Sequence, residues 1–308
     1  MKLQRAIVTG PTGGVGVNLI EELVRCGVEV TAVCRPNSSR IDALPNHPLV
    51  RKILCELESI DALPQQTEGK YDAFFHLAWD GTFGSSRDDI ILQEKNLSCT
   101  LKAVRAAASL GCCVFVGAGS QAEHGPTDGI MSPTSPCKPV TGYGAAKLSA
   151  GAMSRVYCRS LGMRHVWCRI LSMYGPHDGE NTMVSSMVRG FLNGERAKCT
   201  AGEQLWDYIY AKDVARAFRL AAESAPDGAV YCLGSGRCQP LRRYIEQIRD
   251  AVNPALGIDF GAVPYYPNQV MHLEADISSL TRDTGFVPSY TFEQGIQETV
   301  AWMRSKAK

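Results

Sequence analysis

The 308-residue chain lacks most of what would direct it to a membrane, a nucleic acid or a metal. No apolar run approaches the roughly 20 residues that span a bilayer. Lysine and arginine number 32 against 31 aspartate and glutamate, so no charge excess attracts nucleic acid or an anionic surface. Met1-Lys2-Leu3 leads directly into an apolar strand, so no signal peptide is expected and a cytoplasmic protein is the default reading. Twelve cysteines are present without a C-x-x-C, and Cys112-Cys113 is the one close pair. Cys26, Cys34, Cys99, Cys158, Cys168 and Cys232 lie in apolar surroundings, where thiols behave as small reduced hydrophobes. Neither they nor the six histidines fall at metal-ligand spacing, so no metal is expected. Internal repeats and low-complexity tracts are absent as well.

What is present begins at Ala6-Ile-Val-Thr9, a short β-branched run that reads as a buried strand. Gly10-x-x-Gly13-x-x-Gly16 turns it into a helix on which Val15, Leu19, Ile20, Leu23 and Val24 share one face, and Gly27 stands where a left-handed residue ends it. The backbone N–H groups at such a helix start receive an anion, and any glycine side chain would hold that anion away.

Strands and helices then alternate through two-thirds of the chain, the pattern of a parallel sheet covered on both faces. Strands are expected at 28–34, 49–55, 71–79, 112–117 and 165–171, with helices at about 88–110 and from 143 through 156. The stretch 123–141 is rich in proline, glycine and serine and reads as a long functional loop. Beyond Met173 the alternation becomes irregular. A polar loop covers 178–182, helices are expected at 183–192, 241–251 and 292–306, and strands at 207–210 and 230–233. Asp213 is read as a helix N-cap. The implied organisation is a dinucleotide-binding domain of 1–172 plus about 205–233. A smaller substrate lobe takes about 173–204 and 234–308.

At the end of the second strand an acidic residue would accept from a ribose 2′-hydroxyl, whereas an arginine accommodates a 2′-phosphate. No acidic residue stands there. Arg35 does, with Ser38, Ser39 and Arg40 behind it, which favours NADP(H) over NAD(H) because a guanidinium bonds the phosphate that a carboxylate repels. Tyr143 and Lys147 lie four apart at a helix start, on one face. A phenol with an ordinary pKa near 10 is a poor base at neutrality, and an ammonium one turn away favours its phenolate. Ser120, at a strand end, can donate to the same substrate oxygen. The three together move a proton to or from a carbinol while a hydride passes to or from a nicotinamide.

With these residues the chain resembles the extended short-chain dehydrogenases/reductases, the branch of nucleotide-sugar epimerases, dehydratases and 4-keto-reductases. The matching motifs are Thr9-Gly-x-x-Gly-x-x-Gly16, His76-Leu-Ala78, Ser120 and Tyr143-Gly-x-x-Lys147, then Tyr174-Gly-Pro176, Tyr208 to Asp213, Gly234-Ser-Gly236 and Gly285-Phe-x-Pro288. The resemblance spans the full length. It implies a Rossmann-type doubly wound parallel α/β sheet with a smaller C-terminal substrate lobe, and a homodimer that packs helices 88–110 and 143–161 into a four-helix bundle. Catalysis is expected from Ser120, Tyr143 and Lys147. Cofactor contacts are expected from Gly10, Thr12, Gly13, Gly14, Val15 and Gly16 in the first turn, and from Arg35 and Ser39 after the second strand. Further contacts are expected from Glu56 and Leu57, from Leu77, Ala78 and Trp79, and from Leu171 beside Tyr143 and Lys147. For the substrate they are Thr82, Gln121, Asn181, Arg189, Trp206 and Arg237.

Two departures bear on the substrate. Where many relatives carry Arg-Asp to grip a diphosphate, this chain has Trp206-Asp207, and Asn268-Gln-Val-Met271 replaces the stretch that brings a second arginine before Asp276. The diphosphate is then held by other cations, among Arg189, Arg196, Lys198 and Arg237, or the substrate is not a usual nucleotide sugar. Trp206 itself reads equally as a stacking platform and as a packing residue. An Asp-Glu pair directly after the catalytic serine marks 4,6-dehydratases, and Gln121-Ala122 stands there instead. The expected activity is NAD(P)-dependent oxidoreduction of a nucleotide-activated sugar, in its narrow form reduction of a 4-keto sugar nucleotide. The alternatives are an NAD-dependent 4-epimerase and, in another class, a non-catalytic NAD(P)-binding regulator, against which the intact serine, tyrosine and lysine speak.

Overall fold

Successive side chains of the first strand, β1 (Arg5–Thr9), go to opposite layers: Ala6 and Val8 to one hydrophobic core, Ile7 to another. The computed structural model describes residues 1–127, 129–266 and 269–306. After β1 come α1 (Gly14–Arg25), β2 (Glu29–Cys34), β3 (Val50–Leu54) and β4 (Ala73–His76). Next are α2 (Ile90–Ser109), β5 (Val114–Ser120), β6 (Gly129–Met131), α3 (Gly142–Ser160) and β7 (Arg164–Ile170). The amphipathic pattern of α1 buries Val17, Leu19, Ile20 and Leu23, and Gly27 after it has φ 78°. Asp89 caps α2 by accepting from Leu92 N–H at 3.1 Å, and Thr141 caps α3 by accepting from Gly144 N–H at 3.1 Å.

The remaining elements are β8 (Ser172–Tyr174), α4 (Met183–Leu192), β9 (Ala197–Cys199), β10 (Leu205–Trp206), β11 (Tyr208–Tyr210), α5 (Ala211–Ser224) and β12 (Ala229–Leu233). They continue through β13 (Gln239–Pro240), α6 (Leu241–Val252), β14 (Ile258–Phe260), β15 (His272–Ala275), α7 (Ser278–Thr284) and α8 (Phe292–Lys306). Seven strands form one parallel sheet in the order β12-β7-β5-β4-β1-β2-β3, the doubly wound Rossmann-type arrangement. Its winding reverses between β1 and β4, which opens a crevice at their C-terminal ends. Helices α1 and α5 cover one face with Leu19, Ile20, Phe218 and Ala221; α2 and α3 cover the other with Ala103, Ala107 and Cys158. Each fully buried large aliphatic or aromatic side chain contributes about 1.5–3 kcal/mol.

A four-stranded sheet, β13-β10-β15-β6, lies beside an aromatic core of Tyr174, Tyr208, Tyr210, Tyr244 and Phe292. Its strand β6 falls inside the stretch read from sequence as loop. Three residues are too few to show alternation, and the partner β15 is far along the chain. Asp213 differs from expectation too. The N-cap of α5 is Tyr210, and Asp213 is buried in the first turn, accepting from Ser289 N–H and Tyr290 N–H at 3.0 Å. It ties α5 to the C-terminal segment and caps nothing. Among the described residues, no helix is long and apolar enough to cross a membrane. All twelve cysteines are free.

Candidate active site

The turn after β1 is built for close approach. Gly10 has φ 65°, and a β-carbon there would meet Ala78 N at 2.7 Å. Thr9 Oγ1 accepts from Leu77 N–H at 3.2 Å, which holds the ends of β1 and β4 together. His76 bridges Thr9 and Thr100 through its two ring nitrogens at 3.0 and 3.2 Å. Burial pushes that imidazole down to about 3, so it is a neutral packing residue. Helix α1 starts from Gly13 with no side-chain cap. Its first N–H groups are therefore left for an external acceptor, which suits a dinucleotide pyrophosphate.

A cavity of about 600 Å³ lies along this turn and the crevice. Gly10, Thr12, Gly13, Gly14, Val15 and Gly16 line it, as do Arg35, Leu57, Leu77, Ala78, Trp79 and Leu171. Ser120, Tyr143 and Lys147 stand in the same wall with Thr82, Gln121 and Trp206. The structure does not bring the others there. Ser39, Glu56 and Asn181 are exposed outside the cavity lining. Arg189 turns back to Glu180, whose carboxylate it meets at 3.6 Å. Arg237 is exposed on a separate cavity of about 300 Å³ lined by Tyr174, Tyr208 and Tyr244. These assignments rest on position along the chain, which for Arg189 does not report the Glu180 carboxylate that its side chain meets. Of the stretch before Asp276, Asn268 lies outside the described residues.

Lys147 is buried, donates to Ala118 O at 2.7 Å and places Nζ 3.8 Å from the Trp79 ring centre. Burial pulls its ammonium down to about 7, against the opposing charge of Glu123. Trp79 meets Tyr143 edge-on at 6.1 Å. Burial raises the Tyr143 phenol, while the neighbouring Ser120 hydroxyl and the Arg87 guanidinium oppose that rise. The arrangement places a weak acid, a hydroxyl and a titratable amine in one cavity wall.

Behind Ser120 lies a polar network that the sequence reading overlooked. Glu123 is fully buried, accepts from Ser120 N–H at 2.8 Å and Trp167 Nε1–H at 2.9 Å, and pairs with Arg169 at 2.7 Å. Ser120 and Glu123 together form a capping box, and the spacing Ser-x-x-Glu was a usable signal. Arg169 lies 46 residues later, with no local pattern to mark it.

Other cavity residues were also missed. Arg87 places its guanidinium 4.9 Å over the Tyr143 ring, and its buried Nε has no partner. Arg40, named with Arg35 in the sequence, lines the same cavity, and Arg35 pairs with Asp80 at 3.3 Å. His177 holds φ 66°, and burial lifts the adjacent Asp178 carboxyl to about 6. In sequence, Arg87 resembles any solvated loop arginine, and only the fold brings it over the Tyr143 ring.

Known proteins are similar to this chain in sequence and fold. CDP-abequose synthase of Salmonella typhimurium is 25% identical over 95% of this chain and 96% of its own. The solved UDP-N-acetylglucosamine 4-epimerase from Methanobrevibacter ruminantium, in complex with UDP-N-acetylmuramic acid, is 26% identical. Its TM-score is 0.88 over 99% of this chain and 100% of that one. Thermus thermophilus UDP-glucose 4-epimerase, solved in complex with NAD, shares the fold at 22% identity and a TM-score of 0.84, covering 98% of this chain and 99% of that one. The model of the NAD dependent epimerase/dehydratase family matches residues 6–234, from the strand before the glycine turn, through Ser120, Tyr143 and Lys147, to the end of β12, and the chain belongs to that family.

Proposed function

We propose that the chain is an NAD(P)-dependent oxidoreductase of a nucleotide-activated sugar, reducing a 4-keto group to a secondary alcohol. The observation that carries this reading is the meeting of Ser120, Tyr143 and Lys147 in the wall of the cavity that also holds the glycine turn. The uncapped start of α1 with Gly10 and Gly16 would hold the dinucleotide, and Arg35 and Arg40 would meet its adenosine end. Once bound, the dinucleotide supplies the hydride. Tyr143 gives its phenolic proton to the oxygen of the reduced carbonyl, Ser120 Oγ–H holds that oxygen in place, and the Lys147 ammonium stabilises the phenolate left behind. Residues 1–172 with about 205–233 would serve the cofactor, and the remainder the sugar nucleotide.

Arg87 takes the role first given to Arg189 and Arg237, because it is the cation beside Tyr143 in the cavity wall. The cofactor preference rests on Arg35. Asp80 partly neutralises it, which favours the alternative, a 4-epimerase with retained NAD, as does the NAD in the Thermus thermophilus 4-epimerase. Titration of NADPH and NADH separates them. Arg35→Asp should weaken NADPH by about 10–100-fold, the loss of one hydrogen bond to a charged group, and spare NADH. In the same titrations Arg87→Met should weaken the sugar nucleotide and leave the dinucleotide unchanged. Wild-type affinity that is tighter for NADH, with interconversion of epimers and no added cofactor, would establish the epimerase instead.

The reading extends to a homodimer. Ile91 on α2 and Val156 on α3 are 76% and 68% exposed, apolar residues on helices that would pair across a two-fold axis. Light scattering should give twice the chain mass, and Val156→Glu should give monomers. A monomeric wild type would remove this part of the proposal.

A further inference from the structure

We propose that Cys238, His272 and Glu274 form a binding site for a single zinc ion, outside the cavity of the reaction. His272 and Glu274 sit two apart on β15, so both side chains leave the same face of the strand. Cys238 immediately precedes β13, two strands away in the same small sheet, with β10 between. The three ligand atoms nevertheless converge. Cys238 Sγ is 3.8 Å from His272 Nε2 and 3.1 Å from Glu274 Oε2, and Nε2 is 3.0 Å from that oxygen. Zinc bonds of about 2.3 Å to sulfur and about 2.0–2.2 Å to nitrogen and oxygen give tetrahedral edges of about 3.3–3.6 Å. The three separations lie within about half an ångström of those edges, so a modest relaxation suffices.

The donor set selects the ion. Calcium and magnesium take oxygen ligands, whereas thiolate with imidazole and one carboxylate suits a borderline-soft tetrahedral ion. Three protein ligands leave the fourth position for water or an added ligand, and the site is reachable: the His272 and Glu274 side chains are 30% and 21% exposed. Asp207, just beyond β10, is close enough for its charge to act on the Cys238 thiol and adds to the negative field that a cation meets. Binding releases the thiol proton that Cys238 otherwise donates to Glu274. An ion here would fasten β13 to β15 across β10, whose Trp206 stands in the wall of the main cavity. The proposal is independent of which sugar or dinucleotide that cavity takes.

Chelator-stripped full-length protein, dialysed against zinc, should retain one equivalent per chain. Cobalt(II) in its place should show thiolate-to-metal charge-transfer absorption. Cys238→Ser should abolish that absorption and weaken zinc on the order of tenfold or more, and His272→Gln should weaken zinc with the absorption still present in residual complex. Cys113→Ser, which removes the exposed thiol elsewhere, should change neither. Circular dichroism checks that each variant is folded, and His272→Gln carries the test if Cys238→Ser is not. Absence of zinc retention by the wild type, or cobalt absorption and zinc affinity untouched in both ligand variants, would overturn the site.

Discussion

Tyr143→Phe should lower turnover by about 10²–10⁴-fold, the usual contribution of a positioned general acid or base, while folding and dinucleotide affinity stay at wild-type levels. The ring is held by contacts that phenylalanine keeps. Trp79 meets it edge-on, Arg87 lies over its face, and Thr141 caps the helix that carries it. Only the oxygen beside the Ser120 hydroxyl is lost. Ser120 remains to hold the substrate oxygen, so the substrate dissociation constant should move far less than the rate. Single-turnover measurement with saturating cofactor isolates the chemical step. A phenylalanine variant at wild-type rate would remove Tyr143 from the chemistry.

Glu123→Ala should destabilise the fold by about 3–5 kcal/mol, the cost of stranding one partner of a buried ion pair, out of the roughly 5–15 kcal/mol that hold a protein together. Arg169 would keep only His124 at 3.3 Å and the Pro133 carbonyl at 3.4 Å. Burial lowers the His124 imidazole below its ordinary value, and it carries no negative charge in any state, so it cannot replace the carboxylate. Trp167 Nε1–H and Ser120 N–H lose their acceptor at the same time. Glu123→Gln retains an acceptor oxygen and should fall between wild type and alanine. Urea unfolding reads both. A loss under about 1 kcal/mol for alanine would mean that water enters and screens Arg169. Because Ser120 is held by the same carboxylate, the glutamine variant should also lose rate at a protein concentration where it is fully folded.

Features carried by adjacent residues were readable in the sequence. The glycine turn declares itself in seven positions, and Tyr143 and Lys147 in five, because steric demand and helical phase act over that distance. The parallel strands also stood out, since burial on both faces makes them continuous apolar runs. What escaped depends on distant partners. The pairing of β6 with β15, the acceptor role of Asp213 toward Ser289 and the Glu123–Arg169 pair each join segments with no pattern in common. Arginine direction is the hardest case. Arg189 and Arg237 looked well placed and turned away, whereas Arg87 looked like a solvated loop residue and reached the Tyr143 ring. A long flexible side chain goes where the nearest charge or aromatic face lies, and sequence does not report that neighbour.

Leu280 and Phe286, both without exposed surface, belong to the same core as β1 and α1. This has a consequence for the order of synthesis. A ribosome releases the seventh parallel strand, β12, well before it releases the side chains that close the layer over α5. Until residues 280–290 emerge, that core lacks Leu280 and Phe286, and Asp213 is without its backbone donors. The segment that the family model matches, residues 6–234, thus ends before two side chains of its own core and both backbone donors to Asp213. The last tenth of the chain closes a layer begun by the first strand.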